Sequence, residues 1–482
     1  MLRRFVLLLS LVFAAAAPAS AQTFTRLTHQ PPGGALITFQ MTDGTVLAQA
    51  NSESDWYRLT PDINGSYLNG TWTKMASLPS GYQPLYFSQA VLADGRLVII
   101  GGEYNHNTFA FTNLGAVYDP VANTWTPLKA PKGFNYIGDS PGVVLPDGRF
   151  LLGAKFKKIM AALDPATLKW TAMPVKGKND FNAEEGWTLL PDGTFLAVDV
   201  KDHPRSERYL PEKGKWVNAG DIPADLWEPQ NCCGCIPYDP NKPCYQPPGE
   251  IGPAILRPDG TVFATGGLAT GNGRAHTDIW TPPSNNDKHG HWTAGPDFPA
   301  NEDSGDCYGS LLTNGNVLVQ TLDGSLYEFD GTNLTHEPFN GAGGNLMVLP
   351  SGETLVGGFA VYKSTGSYDP SWAPAISSSP STVTRGSSYQ ISGTQFNGLS
   401  RANSFGDEDD SATNYPLVRI QNNSTGHVFY ARTHDHSTMG VATGAAIVST
   451  HFDVSAATET GASTLVVVAN GIPSAPVAVT VN

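Results

Sequence analysis

Charge is scarce in this sequence. Asp, Glu, Lys and Arg make up 15% of 482 residues, and 29 Lys and Arg face 43 Asp and Glu, for a formal charge of −14. A surface that neutralises phosphate backbones needs clustered cations, so no nucleic-acid partner is expected. Long apolar runs are scarce too. After the N-terminal run none approaches the roughly 18 residues of a spanning helix, so no membrane span is expected. Cysteine is limited to 5 residues, four of them crowded into "NCCGCIPYDPNKPC" as Cys232, Cys233, Cys235 and Cys244, with Cys307 alone. That spacing lacks two separated Cys-x-x-Cys pairs, which argues against zinc. In an oxidising compartment it reads as disulfides stapling a loop without a core of its own, with the pairing open.

Turn formers are plentiful, with Gly 51 and Pro 37 and no collagen period, which favours a turn-rich β protein. The first 21 residues, "MLRRFVLLLSLVFAAAAPASA", combine Arg3 and Arg4, an apolar stretch and the small-residue pattern Ala19-Ser20-Ala21. They read as a signal peptide (1–21), so a secreted or periplasmic protein, expected to be a monomer, starts at Gln22.

A repeat organises the rest. Apolar strand, turn and apolar strand recur seven times, as in "SQAVLADGRLVIIGG", "PGVVLPDGRFLLGA" and "GWTLLPDGTFLAVDV". The turns centre on Asp43, Asp94, Asp147, Asp192, Asp259, Asn314 and Ser351, with separations from 37 to 67 residues, close to the period of a kelch blade. Asp-Gly and Asn-Gly in these turns point to hairpins whose central residues need positive φ. Most units carry a second hairpin marked by a Trp, at Trp72, Trp125, Trp170, Trp216 and Trp292, in a phase that suits packing between neighbouring sheets. "TFTRLTHQP" shares the phase of "TWTKMASLP", with Phe24 in the Trp72 position, so the N-terminal strand can complete the last blade and remove a free edge. The predicted fold is all-β: a seven-bladed kelch-type β-propeller over 22–372, with a Cys-rich insertion at 230–248, followed by an Ig-like β-sandwich over 373–482.

Seven kelch units, a closing N-terminal strand and a C-terminal stretch from "PSTVTRGSSYQISG" to "VVVANGIPSAPVAVTV" together resemble the galactose oxidase and glyoxal oxidase group; the most local match is Gly95 to Leu128. The resemblance implies that a loop of the C-terminal domain enters the propeller axis and supplies a copper ligand, a role that Thr433-His434 in "RTHDHSTMG" fits. It also implies that Tyr86, eight residues before Asp94, is the tyrosine crosslinked to a cysteine, and that Tyr104 is the aromatic covering it. The remaining copper residues are missing: Ala35 stands where the cysteine belongs, and Ala342 and Gly343 where an axial Tyr-His pair belongs. A copper radical cofactor is therefore not expected.

Carboxylates occupy the corresponding positions. Asp139, Glu184 and Asp306 each lie eight residues before a turn, flanked by Glu185 and, one position early in its unit, Glu250. Converging on one axis, these would raise one another's pKa values unless a cation or hydrogen-bond donor neutralised them. With His434 and His436 added, Asp139, Glu184 and Asp306 form a candidate divalent-metal set. Oxygen ligands alone would favour calcium, and imidazoles would shift the choice to zinc, manganese or iron. Asp139, Glu184, Asp306 and Tyr86 form the candidate catalytic set, with a carboxylate pair able to act as acid and base on a sugar. Tyr104, Glu185, Glu250 and His106 are candidate ligand contacts. The alternative is structural: carboxylates that cap backbone N–H groups, and histidines that anchor two domains. "FGDEDD", with Asp407 to Asp410, lacks calcium-loop spacing and reads as a solvated acidic loop. Cys307 reads as a buried thiol or disulfide partner. The expected function is carbohydrate or polyol binding or turnover at the axis; the alternative is a non-catalytic propeller that binds a glycan or a protein.

Overall fold

The computed structural model describes residues 22–228, 249–268, 273–284, 287–339, 341 and 343–482. The expected signal peptide (1–21), the four clustered cysteines and Ala342 lie outside the described residues. Seven antiparallel sheets of the repeat follow one another along the chain. The first runs Thr38–Gln40, Val46–Gln49, Trp56–Thr60 and Thr71–Lys74, and the third runs Gly142–Val144, Phe150–Ala154, Lys157–Asp164 and Lys169–Met173. In the seventh sheet, Leu346–Val348, Thr354–Val356 and Ala360–Lys363 are joined by Thr23–Arg26, which pairs antiparallel with Ala360–Lys363. The innermost strand of the last sheet lies against that of the first, so the sheets form a closed ring of seven blades.

The turns explain why the repeat is so regular. In six of them the Asp or Asn side chain accepts a hydrogen bond from the backbone N–H two residues on, as Asp43 does from Thr45 at 3.0 Å and Asp192 from Thr194 at 3.1 Å. The following Gly adopts φ between 75° and 88° in all seven. Only that Gly is left-handed. The backbone bonds Gly44 N–H to Met41 C=O and Met41 N–H to Thr45 C=O mark a turn closed by a glycine bulge, not a two-residue turn with both central residues at positive φ. The aromatic markers act between blades: the Trp125 indole donates to Ala76 C=O at 3.0 Å, Trp170 to Lys129 C=O at 2.8 Å and Trp292 to the Ser206 hydroxyl at 2.8 Å.

The C-terminal strands, from Ala375–Ser378 to Val477–Val481, form a nine-stranded assembly around Val383, Ile391, Phe396, Val418, Phe452, Leu465 and Val479. It sits on the hairpin-turn face of the ring. Thr433 N–H donates to Thr42 C=O at 3.0 Å, His436 N–H to Ala93 C=O at 3.2 Å and Met439 N–H to Pro146 C=O at 3.0 Å. The loop carrying His434 and His436 therefore packs under the turns. A different connection, between Ser388–Thr394 and Leu417–Asn422, enters the axis. Its Asn403–Ser404 pairs with the innermost strand Gly309–Leu311, and the Ser411 hydroxyl donates to Thr38 C=O. At Gly186 a Cβ would lie 2.2 Å from Gly406 C=O, so only glycine lets this plug pass so close. Among the described residues no helix is long and apolar enough to cross a membrane.

Candidate functional site at the propeller axis

The innermost strands begin at the end of the axis opposite the turns, and the repeated position eight residues before each turn lies just ahead of them. There the backbone is unusual: Tyr86, Glu184 and Asp306 have φ of 53°, 55° and 48°. Non-glycine residues held left-handed in equivalent places cost on the order of 1 kcal/mol each, and such strain collects at functional sites.

These positions surround a buried ammonium. Lys155 is 1% exposed and its Nζ donates to both Asp139 and Glu184. It follows Ala154, the end of the second strand of blade three, and lies 5.0 Å from the Phe111 ring centroid. The plug brings Asp407, Glu408 and Asp409 to the same place, all buried. Asp409 accepts from the Tyr308 hydroxyl at 2.8 Å, and Asp410 is matched by Arg401 at 2.9 Å. "FGDEDD" is thus not a solvated loop. Four successive acidic residues are tolerated inside because Arg401, Tyr308 and backbone donors meet part of their charge.

The remaining acidity exceeds what Lys155 can balance. Burial, opposed by Lys155 and reinforced by Glu184, pushes the Asp139 carboxyl up to about 7; burial followed by Glu184 pushes Asp306 up to about 7, and burial carries Asp407 to about 6. Glu184, Glu250 and Glu408 are also raised, chiefly by burial. Burial disfavours the Lys155 charge, yet Asp139 and Glu184 hold its ammonium above the ordinary lysine range. Asp139, Glu184 and Asp407 each offer an oxygen within 4.8 Å of the others, a geometry that could hold a metal ion.

Toward solvent the acidic floor meets aromatic rings. Tyr86 and Tyr104 have centroids 6.2 Å apart, Tyr104 and Phe109 5.5 Å, Phe109 and Phe111 4.4 Å, and Phe111 and Phe156 5.1 Å. Tyr86 is 42% and Phe109 39% exposed. A small sheet of Pro84–Leu85, Tyr104–Asn105 and Thr108–Phe109, carried by blade two, presents this shelf. Half-buried Glu103 lies between shelf and floor, its carboxyl raised to about 7 by burial and then by Asp139.

The structure therefore joins Asp139, Glu184, Asp306, Glu250, Tyr86 and Tyr104 in one region. It does not bring four other candidates there. His434 ends its strand paired with His451, its Nδ1 2.8 Å from Asp435 and its Nε2 3.1 Å from Asp453. His436 Nδ1 lies 2.9 Å from the Thr450 hydroxyl. Both imidazoles belong to the C-terminal strands and the turn face, because the plug is the longer connection and it alone threads the ring. Glu185, next to Glu184, points to the other side of the chain into a buried group with Lys178, at 2.7 Å, and Glu207. His106 sits in the exposed tip between the two short strands of the shelf. Sequence reasoning missed Lys155, Glu103 and the plug; the one signal for the plug was a run of four acidic residues in an otherwise charge-poor strand region.

A copper radical centre does not fit these donors. Among the described residues the groups gathered at the axis are carboxylates, the Lys155 ammonium and the Tyr86 and Tyr308 phenols, the candidate imidazoles are bonded elsewhere, and Ala35 offers no sulfur to Tyr86.

No family model matches the sequence. A stretch of 88 residues is 31% identical to the Kelch-like protein terF of Aspergillus terreus and spans 18% of each chain. Among solved structures, a fungal alcohol oxidase of the AA5 family in complex with copper superposes with a TM-score of 0.48 at 13% identity, covering 96% of this chain and 99% of that one. A streptogramin B lyase gives 0.43 at 12% identity, covering 72% and 97%. The extracellular domain of a hybrid two-component system of B. thetaiotaomicron gives 0.46 at 11%, covering 96% and 59%. In fold the chain is a seven-bladed β-propeller with a C-terminal β assembly.

Proposed function

We propose that this protein is exported and binds a carbohydrate or polyol at the axial mouth, on the shelf of Tyr86, Tyr104 and Phe109, above a carboxylate floor that carries a divalent metal. The observation that carries the reading is the exposure of Tyr86 and Phe109 beside half-buried Glu103. Flat exposed rings cover the apolar face of a sugar, while carboxylates accept its hydroxyl hydrogens. Export rests on the charged and apolar N-terminal stretch.

If the site also reacts, Glu103 is the group suited to proton transfer, because its carboxyl is raised to about 7 and is not sealed in. Oxidation through a copper radical is not part of this reading. The alternative function is a glycan- or protein-binding module without turnover.

Calorimetry of the mature protein against soluble oligosaccharides and polyols tests the reading. Binding should weaken about tenfold in Tyr86→Ala and Phe109→Ala, as loss of a stacked ring implies. Glu103→Gln should keep binding and abolish any turnover. Affinity unchanged in both aromatic variants, or copper-dependent peroxide release from galactose or glyoxal, would overturn it.

A further inference from the structure

Each carboxylate that holds Lys155 does so through one oxygen. Asp139 gives Oδ2 to the ammonium, and its Oδ1, buried with the rest of the side chain, has no hydrogen-bond partner. Glu184 gives Oε1 to Lys155 and meets Asp407 carboxyl to carboxyl. Glu408 Oε2 and Asp409 Oδ1, on the plug, are also buried without a partner. Buried acceptors are normally satisfied, and an orphaned carboxylate oxygen is among the costliest groups to leave unmet.

We propose that the axis holds one hard divalent cation, calcium by preference, between Asp139 of blade three, Glu184 of blade four and Asp407 of the plug. The inference rests on the carboxylate floor of the preceding reading but on no saccharide. Oxygens that lie within 4.8 Å of one another match the separations of ligands sharing an ion at about 2.3–2.6 Å from each. The donors are all carboxylates, which suit hard cations and give zinc or copper no soft or imidazole ligand. Ligands drawn from three separate segments form an irregular set, which calcium accepts and the near-octahedral demand of magnesium does not. Two positive charges would also balance acidity that Lys155 alone leaves uncompensated.

The site gives the ion a structural task. Asp407 reaches the axis only on the plug, whereas Asp139 and Glu184 belong to the ring, so the cation cross-links the C-terminal assembly to the propeller. The left-handed backbone of Glu184 is the local strain that aims its carboxylate at the ion.

The test uses the mature full-length protein stripped of metal and titrated with calcium alone, without sugar, by calorimetry and thermal melting. One calcium per chain should bind and raise Tm. Asp407→Asn, with folding verified by circular dichroism, should weaken binding about tenfold or more and lose most of the Tm gain. Asp139→Asn should do the same, and it replaces Asp407→Asn if that variant does not fold. A terbium luminescence titration of the unmodified protein, competed by calcium, reports the same site through nearby Tyr86 and Tyr308. No stoichiometric calcium uptake by the unmodified protein would overturn the proposal. So would calcium affinity unchanged in a folded variant, which would put the ion elsewhere. Saccharide binding that fails while calcium binds would sink the preceding reading and leave this one standing.

Discussion

His436 links pH to the junction between propeller and C-terminal assembly. Its ring is 8% exposed, stacks on Tyr415 at 6.1 Å and 8°, and leaves Nε2 without an acceptor. Burial first, then the neighbouring His434, with Arg432 adding and Asp435 opposing, lowers its pKa to about 3. An unfolded histidine titrates near 6.5. The folded state therefore binds its proton later than the unfolded state, so the stability from keeping His436 neutral is full above about pH 6.5 and is lost as pH falls toward 3. Each pH unit in that window costs about 1.4 kcal/mol, which gives about 2 kcal/mol at pH 5. Urea denaturation of the parent and of His436→Gln, from pH 7.5 to 4.5, isolates this contribution, because all other titrating groups are common to both. The variant should start less stable at pH 7.5 and converge with the parent by that amount at pH 5. Parallel curves, or an NMR titration of His436 in the folded protein near 6.5, would refute the reasoning.

Two further outcomes follow from the ring itself. Lys155→Met removes the one ammonium from a buried group of carboxylates and should cost about 3–5 kcal/mol, measured by the urea midpoint at pH 7; a loss below about 1 kcal/mol would mean that the floor is already neutral without it. Deleting residues 23–29 should cost about 3 kcal/mol or more, because Phe339 loses Phe24, stacked on it at 5.6 Å, buried Leu27 is removed and Ala360–Lys363 becomes a free edge. An unchanged melting temperature would show that this strand is not what closes the seventh blade.

The seven turns were legible because everything that makes them lies within five residues: in six of them an Asp or Asn that accepts from the second N–H beyond it, and in all seven a Gly free to be left-handed. Their recurrence, with indoles such as Trp125, Trp170 and Trp292 reaching the preceding blade, makes a propeller readable from one chain. The position eight residues before each turn was legible for the same reason, since register along one strand is a local property. What local register cannot decide is which partner arrives from another part of the chain. "RTHDHSTMG" and "FGDEDD" both leave strands of the same assembly, and the family resemblance favoured the histidines for the axis. The choice was made by packing: the short histidine connection is held against the turns by Thr42, Ala93 and Pro146, while the longer acidic one pairs with Gly309–Leu311 and climbs the channel. Glu184 and Glu185 divide likewise, one to the axis and one to Lys178, because the backbone turns left-handed at Glu184. The sequence determined the blades and the residues at their inner ends. Tertiary structure decided what those residues face, because charges hundreds of positions apart become neighbours only when the ring closes around the plug.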